Sequence, residues 1–242
     1  MVFNDNHKKI LAGPAVTEQV ARDLVKRIEG KDFTVTEILK DTSRSTVYRI
    51  AVGKMDLIYK IPHEKNSRHW IRFLTLFRSG EAFKNIQGMV LLEKEGFQSI
   101  KPILACEYRK KGMVMDSWLL YEYLPGSSCL GHEETYPDVV KLLSDLHQSN
   151  LLHGDPQIRN FLVKGDQLYI IDASPKRSGS KFKKRYEFAY LRKSAPDIEK
   201  YFGDYINSFY YRIAIKYDLY NQRITSIKKT LKAIISGNKS KN

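Results

Sequence analysis

The chain has 242 residues, 42% of them hydrophobic and 28% charged, which is enough apolar material for one large domain or two small lobes sharing a cleft and excludes a disordered chain. Lys and Arg number 41 against 27 Asp and Glu, and the formal net charge of +14 favours an anionic partner. No run approaches the roughly 18 apolar residues of a membrane span, residues 1–9 lack the apolar centre of a signal peptide, and the expected location is the cytoplasm.

Thr17 is placed to cap a helix that runs to about Glu29, with Val20, Leu24 and Ile28 on one face and Gly30 at its end. The period then changes. Phe33–Leu39, Ser45–Val52 and Asp56–Ile61 are rich in β-branched and aromatic residues and are separated by polar turns, which predicts three antiparallel strands. Trp70–Glu95 has a helical pattern interrupted at Ser79-Gly80. Two further strands are expected near Ile103–Tyr108 and Ser117–Tyr123, and Pro125-Gly126 marks a turn and a lobe boundary. A buried helix is expected over Pro137–Gln148, then a strand pair, Phe161–Val163 and Leu168–Ile171, joined by a turn that contains Asp166. From about Pro196 the chain reads as mostly helical, rich in tyrosine, with a basic tail. The two cysteines, Cys106 and Cys129, form neither a disulfide framework nor a zinc spacing and read as ordinary reduced thiols.

The strongest chemical signal is the run Leu151–Val163, which contains His153-Gly154-Asp155 and Asn160, followed by Tyr169–Ser174 with Asp172 after an apolar strand. Phosphoryl transfer needs a carboxylate beside the attacking hydroxyl and hard oxygen ligands that hold Mg²⁺ against nucleotide phosphates. Asp155 can accept the hydroxyl proton. Asn160, five residues on, can turn back to offer its amide oxygen, and Asp172 supplies an anionic ligand from the adjacent strand.

These residues and their order resemble the catalytic core of the protein-kinase-like superfamily, in the variants that use His-Gly-Asp where protein kinases use His-Arg-Asp. The resemblance implies an α+β, bilobal protein-kinase-like fold, with an antiparallel N-lobe sheet and a mainly helical C-lobe. The expected parts are an N-terminal helical extension over 1–30, an N-lobe over 31–124 and a C-lobe over 125–242. The resemblance further implies ATP and Mg²⁺, with Lys60 on the third strand contacting the nucleotide phosphates and acting beside Asp155 in catalysis. Its carboxylate partner is expected at Glu81, with Glu93 and Glu95 as rivals. Backbone groups at Glu122 and Tyr123 occupy the hinge position that meets an adenine edge. The phosphate loop departs from the family: Lys40–Thr46 holds no glycine, leaving Ser43, Ser45, Thr46 and Arg44 to meet phosphate. The metal-binding triplet is altered to Asp172-Ala173-Ser174, which keeps the ligand and loses the residues of a regulated switch.

Lys94–Phe97, Tyr121–Tyr123, Gly154–Pro156, Asn160-Phe161, Ile170–Asp172, Ser174 and Lys176-Arg177 together look like the lipopolysaccharide core heptose (II) kinase family, over about residues 33–205. Membership implies transfer of the ATP γ-phosphate to a heptose hydroxyl of the inner core, an anionic glycolipid met at the cytoplasmic face of the inner membrane. No nucleic-acid partner is expected. Between Lys176 and Lys193 lie eight basic residues, and Lys176, Arg177, Lys181, Lys183, Lys184 and Arg185 are the expected acceptor-binding set; the plain alternative is a solvated basic loop. Ile224, Ile227, Leu231 and Ile234 share a helical face near Lys228, Lys229 and Lys232, which would suit either packing on its own domain or contact with an anionic membrane. A RIO-like atypical protein serine kinase shares every catalytic residue, and a catalytically inactive basic binding module stays open because the glycine loop is missing. Phosphotransferases acting on aminoglycosides or choline share the His-Gly-Asp loop, but their cationic substrates call for an acidic acceptor pocket that this segment does not offer.

Overall fold

The computed structural model describes residues 1–238, apart from the side chains of residues 65, 66, 228, 229 and 231–238. The chain forms two compact units. One comprises Met1–Ser127 and Leu162–Pro175, and the other Ser128–Phe161 and the chain from Lys176 on.

The first unit is built on β1 (Val2–Asp5), β2 (Lys8–Ala12), β3 (Thr34–Asp41), β4 (Thr46–Val52), β5 (Met55–Ile61), β6 (Pro102–Lys110) and β7 (Met113–Glu122). They form one antiparallel sheet in the order β1-β2-β6-β7-β5-β4-β3. Its helices are α1 (Glu18–Glu29), α2 (His63–Ser67), α3 (His69–Leu74) and α4 (Glu81–Lys94). The Thr17 hydroxyl accepts from the Val20 N–H at the start of α1, as its position in the sequence suggests.

The sheet is apolar on both faces because successive residues of a strand point to opposite sides. Ile10, Leu57, Leu104, Trp118 and Leu120 pack with Ala21, Leu24, Val25 and Ile28 of α1. Their chain neighbours Leu11, Ile58, Ala105, Leu119 and Tyr121 pack with Ala82, Phe83, Ile86 and Met89 of α4. Residues 1–30, expected as a helical extension, therefore begin with two strands that widen the sheet. The Ile10-Leu11-Ala12 run has no helical period because it feeds both cores in turn. Cys106 lies in the first of these cores, where burial pushes its thiol up to about 12, and both cysteines are buried and free.

Two contacts fix α4. Glu107, with no exposed surface, accepts the Gly80 N–H at 2.7 Å and two guanidinium N–H groups of Arg109 at 2.6 and 3.0 Å. At Gly88 the helix meets the chain that follows the apolar strand, so that a Cβ there would lie 2.7 Å from Pro175 Cδ. The segment Leu162–Pro175 belongs to this unit rather than to the C-terminal part, and the Ile170 N–H donates to the Gln98 carbonyl at 3.0 Å.

Beyond β7 the strands are β8 (Ser127–Ser128), β9 (Leu151–Leu152), β10 (Phe161–Lys164), β11 (Gln167–Ile170) and β12 (Lys176–Arg177). The second unit is mainly helical, with α5 (Tyr136–Gln148), α6 (Lys181–Ser194) and α7 (Phe209–Asn238). Phe188 of α6 lies at its centre, in ring contact with His147, Phe202 and Tyr205. Most of the basic stretch from Lys176 to Lys193, for which a solvated loop was the plain alternative, forms the helix α6, capped by the Ser180 hydroxyl, which accepts from the Lys183 N–H. The face over Ile224–Ile234 lies on α7, and there the side chains from 231 onward, with Lys228 and Lys229, fall outside the described residues.

Replacing Glu107 with alanine leaves the buried N–H of Gly80, the residue that caps α4, without its acceptor and removes the carboxylate partner of Arg109. The expected cost is about 3 kcal/mol, read as a lowered midpoint in thermal or urea unfolding.

Candidate functional site

The loop after α5 is folded back on itself within the second unit. Asn150 closes the helix in the left-handed region at φ 55°, and β9 leads into His153. Gly154 has φ 89°, where a side chain would be strained, which accounts for glycine between His153 and Asp155. The Gln157 N–H donates to the Asp155 carbonyl and the Asn160 N–H to that of Gln157, each at 2.8 Å. This single tight turn brings Asn160 back to Asp155, whose carbonyl accepts the Asn160 amide Nδ2–H at 2.8 Å. The amide nitrogen of Asn160 is thereby used within the loop, and its oxygen is the atom left for another partner.

Helix α6 holds this loop from one face. Glu187, 5% exposed, accepts the backbone N–H groups of His153 at 2.9 Å and Gly154 at 2.6 Å, and His147 Nε2 lies 2.9 Å from the same carboxylate. One turn on, the Tyr190 hydroxyl faces Asp155; burial, and then the charge and hydrogen bond of Asp155, raise the phenol above its ordinary value, which keeps it a neutral donor. Gln157 Nε2 also donates to Asp155 Oδ1 at 2.7 Å, and Ser194 Oγ accepts the Ile158 N–H at 2.8 Å. Glu187, Tyr190 and Ser194 fall at helical spacing. Sequence reasoning missed them because the cations around them dominate the segment; the apolar Phe188 and Leu191 beside a lone glutamate were the available signal.

In the first unit, Lys60 lies on the α4 side of β5, since Leu57 and Ile58 assign alternate residues to opposite faces. Its ammonium meets Asp172 Oδ1 at 2.5 Å. This is a correction to the expected pairing with Glu81: Asp172, not a carboxylate of α4, is the partner that the structure gives Lys60. Glu81 starts α4, where its backbone carbonyl accepts from Asn85. Asp172 has φ 51°, a left-handed conformation uncommon for a residue with a side chain and tolerated best by Asp and Asn. Ile171, one residue before, packs against the α4 core and fixes this bend.

The glycine-free loop is closed by its own hydroxyls. Thr42 Oγ1 accepts the N–H groups of Arg44 and Ser45, both at 3.3 Å, and Thr46 Oγ1 donates to Asp41 Oδ1 at 3.1 Å. Ser45 is buried and Ser43 is exposed at the tip. At the hinge position, the Glu122 N–H donates to the Lys101 carbonyl at 3.0 Å and the Tyr123 N–H to that of Asp56 at 3.1 Å, so both N–H groups are taken up by the sheet. The Arg49 guanidinium covers the Tyr123 ring at 3.7 Å. Glu122 and Tyr123 also line a cavity of about 430 Å³ in this unit, together with Glu93, Lys101, Lys164 and Tyr169.

The expected acceptor-binding cations divide into two groups. Lys176 and Arg177 stand exposed on β12, paired with Leu152 and Leu151, and Lys181 and Lys183 are exposed on the first turn of α6. Lys184 donates to Asn150 Oδ1 at 2.8 Å, and Arg185 lies over the Tyr205 ring at 3.8 Å, so these two are positioned by the unit itself. No cluster of three or more His, Cys, Asp or Glu is poised for a metal among the described residues. Asp172 in the first unit and Asn160 in the second each carry a hard oxygen of the kind that Mg²⁺ accepts.

Residues 15–232 match the model of a family described as lipopolysaccharide core biosynthesis protein (WaaY). Among solved structures, the chain is similar to WaaP in complex with acyl carrier protein, with a TM-score of 0.58 and 16% identity over 84% of this chain and 91% of that one. It also matches the PknI kinase domain of Mycobacterium tuberculosis at a TM-score of 0.41 and 13% identity, over 66% of this chain and 71% of that one. The first of these likenesses shows the kinase-like fold.

Glu187→Ala removes the acceptor of the buried His153 N–H and of the Gly154 N–H, and the partner of His147. It is expected to cost about 3 kcal/mol, measured by thermal unfolding, with Glu187→Gln, which keeps one acceptor oxygen, falling between the two.

Proposed function

The chain belongs to the lipopolysaccharide core biosynthesis protein (WaaY) family, and on that premise we propose that it transfers the γ-phosphate of ATP to a heptose hydroxyl of the lipopolysaccharide inner core. The observation that carries this reading is the closed loop Asp155–Asn160 held by Glu187, in a chain whose family works on that core. Asp155 is half-exposed at a rigid turn and faces a neutral phenol, as a base that receives a hydroxyl proton should.

The proposed reaction forms a bond between the heptose oxygen and the γ-phosphorus and breaks the bond to the β-phosphate oxygen, while the hydroxyl proton passes to Asp155. Lys60, now paired with Asp172, turns its ammonium to the nucleotide phosphates. Asn160 and Asp172 are the proposed Mg²⁺ ligands, and the metal when bound neutralises phosphate charge. Catalysis rests on positioning and electrostatics rather than on a covalent intermediate. Lys176, Arg177, Lys181 and Lys183 would draw in a phosphorylated, acidic sugar core, and such long-range attraction weakens as salt rises. The acceptor is a glycolipid, so the reaction belongs at the cytoplasmic face of the membrane that carries it. No described helix is long and apolar enough to cross a membrane.

The test is transfer of labelled γ-phosphate to dephosphorylated core oligosaccharide, beside a generic protein substrate. Label on the core alone is expected; label on protein alone would replace the sugar by a protein acceptor. Asp155→Asn is expected to lower kcat about 10²- to 10⁴-fold with little change in KM for ATP. Lys181→Ala with Lys183→Ala should instead raise KM for the core and flatten its salt dependence, leaving kcat near that of the parent.

A further inference from the structure

Helix α3 fully buries none of its residues. Ile71, Arg72 and Leu74 are half-buried, and polar bonds tie the segment to the sheet: an Arg72 N–H donates to the Met115 carbonyl at 3.2 Å, and the hydroxyl of Thr75, just beyond the helix, accepts the Val114 N–H at 2.8 Å. Arg109 reaches the Thr75 carbonyl from the neighbouring strand at 3.3 Å. The aromatic side chains face outward. Trp70 is 68% exposed, Phe73 46% and Phe77 80%, with Leu76 at 42%. They form one surface, since Trp70 stacks on Phe73 at 5.8 Å and Phe73 meets Phe77 edge-on at 6.1 Å. A helix held by polar bonds on its inner side, with a contiguous aromatic outer side, marks an interaction surface rather than a loosely packed one.

The charge around this surface is mainly positive. Residues 67–80 include Arg68, Arg72 and Arg78 and contain no Asp or Glu, and Glu64 at the edge is paired with Arg68. The β6–β7 turn adds the exposed Lys110 and Lys111, and its Gly112 sits against Leu76, where a Cβ would lie 3.0 Å from Leu76 Cδ2. Aromatic side chains at the centre and cations at the rim match the boundary of an anionic bilayer, where rings enter below the headgroups and cations pair with phosphate. A second copy of the chain would set this cationic rim against its own like charges.

We propose that the α3 surface, with Trp70, Phe73, Leu76 and Phe77 inserted and Arg78, Lys110 and Lys111 at the headgroups, docks the protein on a membrane of anionic phospholipid. The surface is remote in sequence from the α7 face that first suggested membrane contact. Its use is to hold the enzyme where a lipid-anchored acceptor lies, and only that use depends on the heptose-kinase reading; the binding itself does not.

The experiment is flotation of the full chain with vesicles of phosphatidylglycerol and phosphatidylethanolamine, against vesicles of phosphatidylcholine. Binding to the anionic vesicles is expected, weakening with salt. The chain has two tryptophans and Trp118 is 3% exposed, so Trp70 is the reporter. Its emission should shift to the blue and be quenched by brominated lipid. Trp70→Ser with Phe73→Ser and Phe77→Ser should lower vesicle binding by about tenfold or more, while phosphorylation of water-soluble core oligosaccharide is unchanged. Equal vesicle binding by this variant, or no quenching of the parent by brominated lipid, overturns the proposal. A concentration-dependent dimer that the triple variant abolishes, without vesicle binding, overturns it in favour of self-association. Failure of oligosaccharide phosphorylation in parent and variant alike, with vesicle binding intact, counts against the reaction and leaves the surface standing.

Discussion

A single buried carboxylate organises the loop from His153 to Asn160. Glu187 accepts two consecutive backbone N–H groups, those of His153 and Gly154, and faces His147 from the preceding helix. Buried N–H groups need acceptors, and a loop with a left-handed glycine cannot supply them from its own strand. The two carboxylate oxygens take one N–H each. Glu187 therefore fixes the direction in which Asp155 leaves the chain, and with it the turn that returns Asn160. The helix that carries Glu187 also carries Tyr190 beside Asp155 on its inner side, and Lys181 and Lys183 outside. One element thus supports the proposed base and presents cations to an anionic acceptor.

The first unit meets a different constraint. Where the sheet buries both faces its inner strands must be apolar at successive positions, and the runs Ile10-Leu11, Leu57-Ile58 and Leu119–Tyr121 satisfy this. Lys60 interrupts this pattern on the α4 side and is stabilised there by Asp172. The pairing depends on the bend at Asp172, which depends in turn on Ile171 in the core and on Gly88, whose missing side chain lets α4 approach Pro175. The Lys60–Asp172 pair is mounted on packing that admits few substitutions.

Charge and apolar surface are distributed unevenly over the chain. The excess of cations is concentrated around α3 and along β12 and the start of α6, while the core helices α1 and α4 carry acid and base in closer balance. An enzyme whose acceptor is an anionic glycolipid has two surfaces to satisfy, the sugar and the bilayer that holds it, and two separate cationic regions suit that demand.

Much of this was legible in the sequence, and the reason is local. Runs rich in β-branched and aromatic residues at β4, β5, β6 and β7, the break at Ser79-Gly80, the helix α5 and the spacing from Asp155 to Asn160 and on to Asp172 are written in neighbouring residues, so pattern alone determined the kinase-like fold and the composition of the motif. What only the tertiary structure decided depends on contacts between residues distant in the chain. The partner of Lys60 is Asp172 rather than Glu81 because strand register and a left-handed bend bring them together, and no spacing encodes that. The strands β1 and β2 were hidden because short runs become strands only when an edge is available to pair with. Glu187 looked like one charge among many until burial and two backbone N–H groups gave it a role, since the energy of a carboxylate depends on what surrounds it.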